Sequence, residues 1–158
     1  MMRAVFPGSF NPITFGHLDL ITRAASLCDS VVVVVSFSAG HAEPEDRLEL
    51  VKLACQNISN VEVVSYQGLM VDCAKDEGAN VIIRGVRSGD DLCYENNMAN
   101  MNRQLGDDIE TLLLPADANL SHISSSLVRQ ILRVQADAAP FVPADVLKCI
   151  RDKNIYGT

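Results

Sequence analysis

Five short apolar runs recur along the chain: "RAVFP" (3–7), "VVVVVS" (31–36), "VEVVS" (61–65), "NVIIR" (80–84) and "TLLLP" (111–115). They are mostly apolar throughout rather than alternating, the pattern of strands covered on both faces in a parallel sheet. Between them apolar residues return at helical spacing. Leu18, Ile21, Ala24 and Ala25 share a face, as do Leu48, Val51 and Cys55. The segment from about Met70 to Glu77 predicts a shorter helix stopped at Gly78. Tyr94, Met98, Met101 and Leu105 form one stripe; Leu127, Val128, Ile131 and Leu132 form another. A last helix begins near Pro143, where proline suits the first turn. Strand and helix therefore alternate, which predicts an α/β fold: an open, doubly wound parallel sheet of five strands with helices on both faces and a C-terminal helix.

Size and charge narrow the picture. A chain of 158 residues suits one domain spanning 1–158. Its longest apolar run, "VVVVV", is strand-sized and far short of a membrane span. The N-terminus "MMRAVFPGSF" lacks the apolar core of a secretory leader, so a cytoplasmic location with no membrane partner is expected. Cys28, Cys55, Cys73, Cys93 and Cys149 are odd in number, far apart and without a C-x-x-C pair, which reads as reduced thiols used as small hydrophobes. A net charge of −7 argues against nucleic acid. Small anions are not excluded wherever the 13 basic residues gather.

In doubly wound sheets ligands bind beyond the carboxyl ends of the strands, where strand order reverses. The loops to inspect are therefore 8–16, 37–45, 66–69, 84–90 and 116–123. The first, "PGSFNPITFGH", brings Gly8, Ser9, Gly16 and His17 to a helix N-terminus, whose free N–H groups and positive dipole end suit phosphate. It is neither G-x-G-x-x-G nor G-x-x-x-x-G-K-[ST]. The plainer possibility is a turn with Thr14 as cap and His17 facing solvent. In "IIRGVRSGDD", Arg84 and Arg87 flank a glycine and could grip a polyphosphate bidentately, or could merely pair with Asp90 and Asp91. In "LSHISSSLVRQIL", Ser124, Ser125 and Ser126 stand where a helix begins and could serve an anion there, or one could cap while the others are solvated. Glu95, Ala99 and Asn102 share a face apart from the methionine stripe, lining either a cleft or solvent.

Together these blocks resemble the nucleotidyltransferase superfamily with the (H/T)-x-G-H signature, here "TFGH" at 14–17. "PGSFNPITFGHLDLITRA", "LM" at 69–70, "IIRGVRSGDDLCYE" and "ISSSLVR" resemble the bacterial phosphopantetheine adenylyltransferase family in order and near-family spacing. The resemblance implies a single-domain Rossmann-like fold and transfer of AMP from ATP to 4′-phosphopantetheine, giving dephospho-coenzyme A and pyrophosphate in coenzyme A synthesis. It implies Mg²⁺ carried by the ATP phosphates, with no metal ligand from protein side chains. It further implies a homohexamer and coenzyme A as feedback inhibitor. By position it gives His17 the catalytic role. ATP would meet Ser9, Phe10, His17, Gly85, Val86, Arg87, Glu95 and the run Leu120, Ser121, His122, Ile123, Ser124, Ser125 and Ser126. Phosphopantetheine would meet Ser9, Leu69, Met70 and Arg84.

The chemistry needs no base, because the nucleophile is already a phosphate dianion, and it needs no covalent intermediate. The chain must bring two anions together and neutralise charge growing at the α-phosphate. Three positions depart from the family. The loop "SFSAGHAEPEDR" lacks a lysine usual there, which leaves Arg84 as substitute and His41 as a weaker candidate, with Arg47 expected to begin the second helix and point away. Leu120 replaces an aromatic residue, and Asn100 stands where histidine occurs. Two rival functions stay open at this point: a related cytidylyl- or mononucleotide adenylyltransferase, and a non-catalytic nucleotide-binding module.

Overall fold

A computed structural model describes every residue except 38, 39, 107 and 158. The chain order is β1 (Arg3–Gly8), α1 (Phe15–Leu27), β2 (Ser30–Ser36), α2 (Pro44–Cys55), β3 (Val61–Tyr66), α3 (Met70–Asp76), β4 (Val81–Val86), α4 (Gly89–Leu105), β5 (Glu110–Pro115), α5 (Ser125–Arg133) and α6 (Ala144–Asp152). The five strands form one sheet in the order β3-β2-β1-β4-β5, every neighbouring pair parallel. This is the doubly wound architecture the apolar runs predict.

The valine run of β2 explains why the strands do not alternate. Val31, Val33 and Val35 face a large core with Phe6, Ile21, Leu50, Val128 and Ile150. Val32 and Val34 face a second core with Val5, Val71, Cys73, Ala74 and Ile82. Both faces are covered, so every position is apolar, and β-branched residues fit the pleat. Three helices open on side-chain caps that accept a backbone N–H: Thr14 from His17, Ser88 from Asp91 and Ser124 from Leu127.

The structure corrects the sequence in three places that bear on function. First, β4 runs on to Val86, because Gly85 and Val86 pair with Leu114 and Pro115 of β5. Gly85 and Val86 are thus strand residues rather than loop residues, and Arg84 lies within the strand, not at its end. A Cβ on Gly85 would lie 2.3 Å from the Leu20 side chain of α1, so glycine is needed there for close packing. Second, the stripe on α4 faces outward: Tyr94, Met101 and Leu105 are exposed, and Glu95 is the helix's buried residue. The helix packs on β4, β5 and α3 at the edge of the sheet. Third, Cys93 lies exposed on α4, whereas Cys28, Cys55 and Cys73 are buried as small hydrophobes should be. Among the described residues no helix is long and apolar enough to cross a membrane.

Candidate active site

Strand order reverses between β1 and β4, and there the two strands part. Their ladder pairs Ala4 with Val81 and Val5 with Ile82 and goes no further. Pro7 has no N–H with which to extend it. The side chain of Arg84 enters the gap instead, and its Nη1 donates to the Pro7 carbonyl at 2.6 Å. Its Nε and Nη2 donate to Glu95 Oε2 and Oε1 at 3.0 and 2.7 Å. Glu95 is 6% exposed, so this bidentate pair is fixed from the protein side. A guanidinium carries five N–H groups; three are used here, and two remain for a ligand.

The β1–α1 loop is tied down carbonyl by carbonyl. Arg47 Nη1 donates to the Ser9 carbonyl at 2.6 Å, Arg129 Nη1 to that of Asn11 at 2.6 Å, and Ser125 Oγ to that of Pro12 at 2.7 Å. The Asn11 side-chain oxygen accepts from the Ala42 N–H at 3.2 Å. Phe10 has a left-handed φ of 46°, and its ring is buried beneath Gly8. A Cβ on Gly8 would lie 2.9 Å from that ring. Phe10 can therefore offer a ligand its backbone and not its ring.

At the start of α1, Thr14 and His17 close a reciprocal cap. The Thr14 hydroxyl accepts the His17 N–H, and His17 Nδ1 accepts the Thr14 N–H at 3.1 Å. That bond assigns the proton of the neutral ring to Nε2. Burial first, then Arg87 and Arg84, lower the His17 pKa from 6.5 to about 4. Near neutral pH the ring is thus an uncharged donor through Nε2. The plainer sequence alternative is half right: Thr14 caps the helix, but His17 is the other half of that cap and sits edge-on against Phe10 at 5.1 Å.

Arg87, just past β4, is held more loosely. Its backbone N–H and Nε donate to Asp91 Oδ2 at 3.0 and 3.3 Å, and Nη1 reaches the Ile123 carbonyl at 3.5 Å. The serine run divides its work. Ser124 caps α5, Ser125 bonds Pro12, and Ser126 accepts from Arg129 Nη2 at 3.3 Å. Before it, Leu120 packs partly buried on the core, Ser121 bonds the Ala118 carbonyl, His122 is exposed and Ile123 is buried. Among the described residues no group of three or more His, Cys, Asp and Glu is arranged to hold a metal ion.

The fold gathers Ser9, His17, Arg84, Arg87, Glu95 and the start of α5 about the carboxyl ends of the inner strands β1 and β4. Leu69 and Met70 open α3, which packs on β1 and β4: Leu69 is exposed and Met70 packs on the smaller core. His41 is partly buried between β2 and α2, where residues 38 and 39 lie outside the described residues and Pro44 and Glu45 already belong to the helix. Sequence reasoning missed Asn11 and Arg129 and misplaced Arg47, which points inward. Arg129 was legible: it lies four residues after Ser125, on the same helix face. So was Arg47, at helical spacing from Leu50, Val51 and Cys55.

The cytidylyltransferase-like family matches residues 5–131. A phosphopantetheine adenylyltransferase of Staphylococcus carnosus is 41% identical over 154 residues, covering 96% of either chain. One from Rhizobium leguminosarum bv. trifolii is 40% identical over 162 residues, covering 98% of this chain and 99% of its own. One from Proteus mirabilis is 41% identical over 155 residues, covering 96% of either chain. Among solved structures, a provisionally assigned nicotinate-nucleotide adenylyltransferase from Vibrio parahaemolyticus superposes with a TM-score of 0.77. It covers 99% of this chain and 96% of its own at 18% identity, a likeness of fold alone. The chain thus belongs to the cytidylyltransferase-like family and, within it, to the phosphopantetheine adenylyltransferases, and it is a nucleotidyltransferase.

Proposed function

We propose that this chain transfers the adenylyl group of ATP to 4′-phosphopantetheine, giving dephospho-coenzyme A and pyrophosphate by direct in-line attack. The observation that carries this is identity of about 40% over nearly the full length to relatives bearing that activity as their name. The geometry supports it. Two arginines of one strand end and a neutral imidazole converge where the strand order reverses.

In this reading Arg84 offers its two spare N–H groups to the acceptor phosphate, with Ser9 beside it and Leu69 and Met70 along the pantetheine arm. His17 donates through Nε2 to the α-phosphate, where negative charge grows as the new bond forms. Arg87, Gly85, Val86, the Phe10 backbone and the segment from Leu120 to Ser126 hold ATP. Glu95 serves through Arg84, which it orients. Mg²⁺ would arrive on the ATP phosphates and screen their charge; the chain's own part is to bind those phosphates. Coenzyme A, which shares the pantetheine arm, would compete for the acceptor site. The chain works as one domain in the cytoplasm, and the exposed apolar side chains Leu92, Tyr94, Met101 and Leu105 of α4 support its association with further copies of itself, which the family resemblance makes a homohexamer.

The test is an acceptor panel. Purified protein is given ATP or CTP with 4′-phosphopantetheine or nicotinate mononucleotide, and pyrophosphate and nucleotide products are followed. Dephospho-coenzyme A from the ATP and 4′-phosphopantetheine pair is the expected product. Turnover with another pair in its place, or ATP binding without turnover, would contradict the proposal.

A further inference from the structure

Lys148 and Arg151 of α6 take no part in the site described above. Both are exposed, and among the described residues neither forms an ion pair, although Asp152 stands one turn beyond Lys148. Both line a cavity of about 400 Å³ between α6 and the start of α1. That volume lies within the range of small-molecule sites, roughly 300 to 1,000 Å³.

The cavity has an apolar wall. Phe15, Val142 and Leu147 pack on the large core, and the exposed Ala139 and Ala144 are too small to fill the space beside them. On α6, Ala144, Leu147, Lys148, Arg151 and Asp152 recur at helical spacing, so one helix face supplies both apolar wall and charged rim. Two cations against one carboxylate leave that rim positive, in a chain whose net charge is −7.

Phe15 joins the cavity to the signature loop. It opens α1 between the Thr14 cap and Gly16, and its N–H donates to the Phe141 carbonyl at 2.9 Å. The chemistry of the lining selects an occupant. An apolar wall gains from a hydrocarbon, which a nucleotide phosphate does not offer. An arginine beside a lysine gains from a carboxylate, which a neutral or cationic apolar molecule does not offer.

We propose that the cavity between α6 and the start of α1 is a second ligand site, taking a small monoanion with an apolar body: a carboxylate on a hydrocarbon chain. The tail lies on Phe15, Val142 and Leu147, and the head lies between Lys148 and Arg151. The site is distinct from the ATP and acceptor sites proposed above and does not depend on which nucleotidyl transfer the chain performs.

Octanoate is the probe, titrated into the full-length wild-type protein beside octanol, octylammonium and inorganic phosphate. Octanoate should saturate one site per chain with a Kd of about 1 mM or tighter, the affinity open to a ligand of its size. Octanol and phosphate each lack half of the recognition and should bind roughly tenfold more weakly or worse, with octylammonium weakest. In amide NMR octanoate should shift Phe15 and Val142 and leave α3, which packs on the other face of the sheet, unmoved. Lys148→Gln combined with Arg151→Gln should weaken octanoate roughly tenfold. Ala139→Phe, which fills the cavity from an exposed position, should abolish its binding. Failure of octanoate to saturate the wild-type protein, or equal binding of octanoate and octanol, would overturn the proposal. So would shifts that spare Phe15, or unchanged octanoate affinity in either folded variant. The ligand panel and the amide shifts use wild-type protein alone, so they decide the matter even if a variant fails to fold.

Discussion

Arg84 and Arg87 leave the same strand three residues apart, yet they are held in different ways. Arg84 is clamped by a carboxylate 8% exposed on its side chain and by a backbone carbonyl; Arg87 leans on Asp91, 33% exposed, and on a longer contact to Ile123. The first is fixed before any ligand arrives. The second can reorganise when one does. A cation that must align a small nucleophilic phosphate gains from being fixed, since misplacement by an ångström costs rate. A cation that follows a triphosphate chain gains from reach.

The largest expected effect comes from the ring whose pKa both arginines lower. His17→Ala should lower kcat roughly a hundredfold, the scale of a lost oxyanion donor, with the folded state largely kept. Steady-state kinetics beside a melting curve separates the two; near-normal turnover would remove His17 from the reaction. Next comes the clamp. Glu95→Ala leaves Arg84 without its counter-charge in a partly buried place and should cost about 2 kcal/mol in stability, between the ranges for exposed and fully buried pairs. Acceptor affinity should fall roughly tenfold. Denaturant titration and calorimetry measure each. An Arg84 that works as well without Glu95 would erase the contrast between the two arginines.

A finer effect lies in titration. His17 has a folded pKa lowered to about 4 against an ordinary 6.5, so between those values the unfolded chain binds the extra proton. Stability should therefore be lost as pH falls from about 6.5 towards 4, and His17→Asn should flatten that part of the curve. Of the two charges, Arg87 lowers the imidazole more than Arg84 does. NMR titration of the ring should show a larger upward shift in Arg87→Ala than in Arg84→Ala; the reverse order would place the wrong arginine beside the ring. The smallest effect should be Asp91→Ala. It removes an exposed i,i+4 partner and should cost less than about 1 kcal/mol and little activity.

The same contrast shows what the sequence could reveal. The alternation of strands and helices was legible because β-branched runs and helical spacing are local properties. "TFGH" and "IIRGVR" stood out as candidate phosphate-binding blocks because donors at a helix start and a strand end suit phosphate. Which face of α4 turns inward was not: Tyr94, Met98, Met101 and Leu105 mark a face, but periodicity does not say what covers it, and the chain itself leaves it open. The partner of Arg84 was hidden for a related reason. Asp90 and Asp91 are nearer in sequence, but β4 extends past Arg84 and brings Glu95, a turn further along α4, to face it. Arg47 was misplaced because a charged residue at a helix start is usually solvated, and its inward turn follows from the carbonyls of Ser9 and Ser36 at the ends of two strands as well as that of nearby Ala42.

The division of labour between the two arginines is tested most directly by titrating ATP and 4′-phosphopantetheine separately into Arg84→Ala and Arg87→Ala. Calorimetry should show Arg84→Ala losing 4′-phosphopantetheine affinity by roughly tenfold or more, as expected for a lost charge-assisted contact, with ATP little changed; Arg87→Ala should show the opposite. Equal losses of both ligands in both variants, or no loss in either, would contradict it.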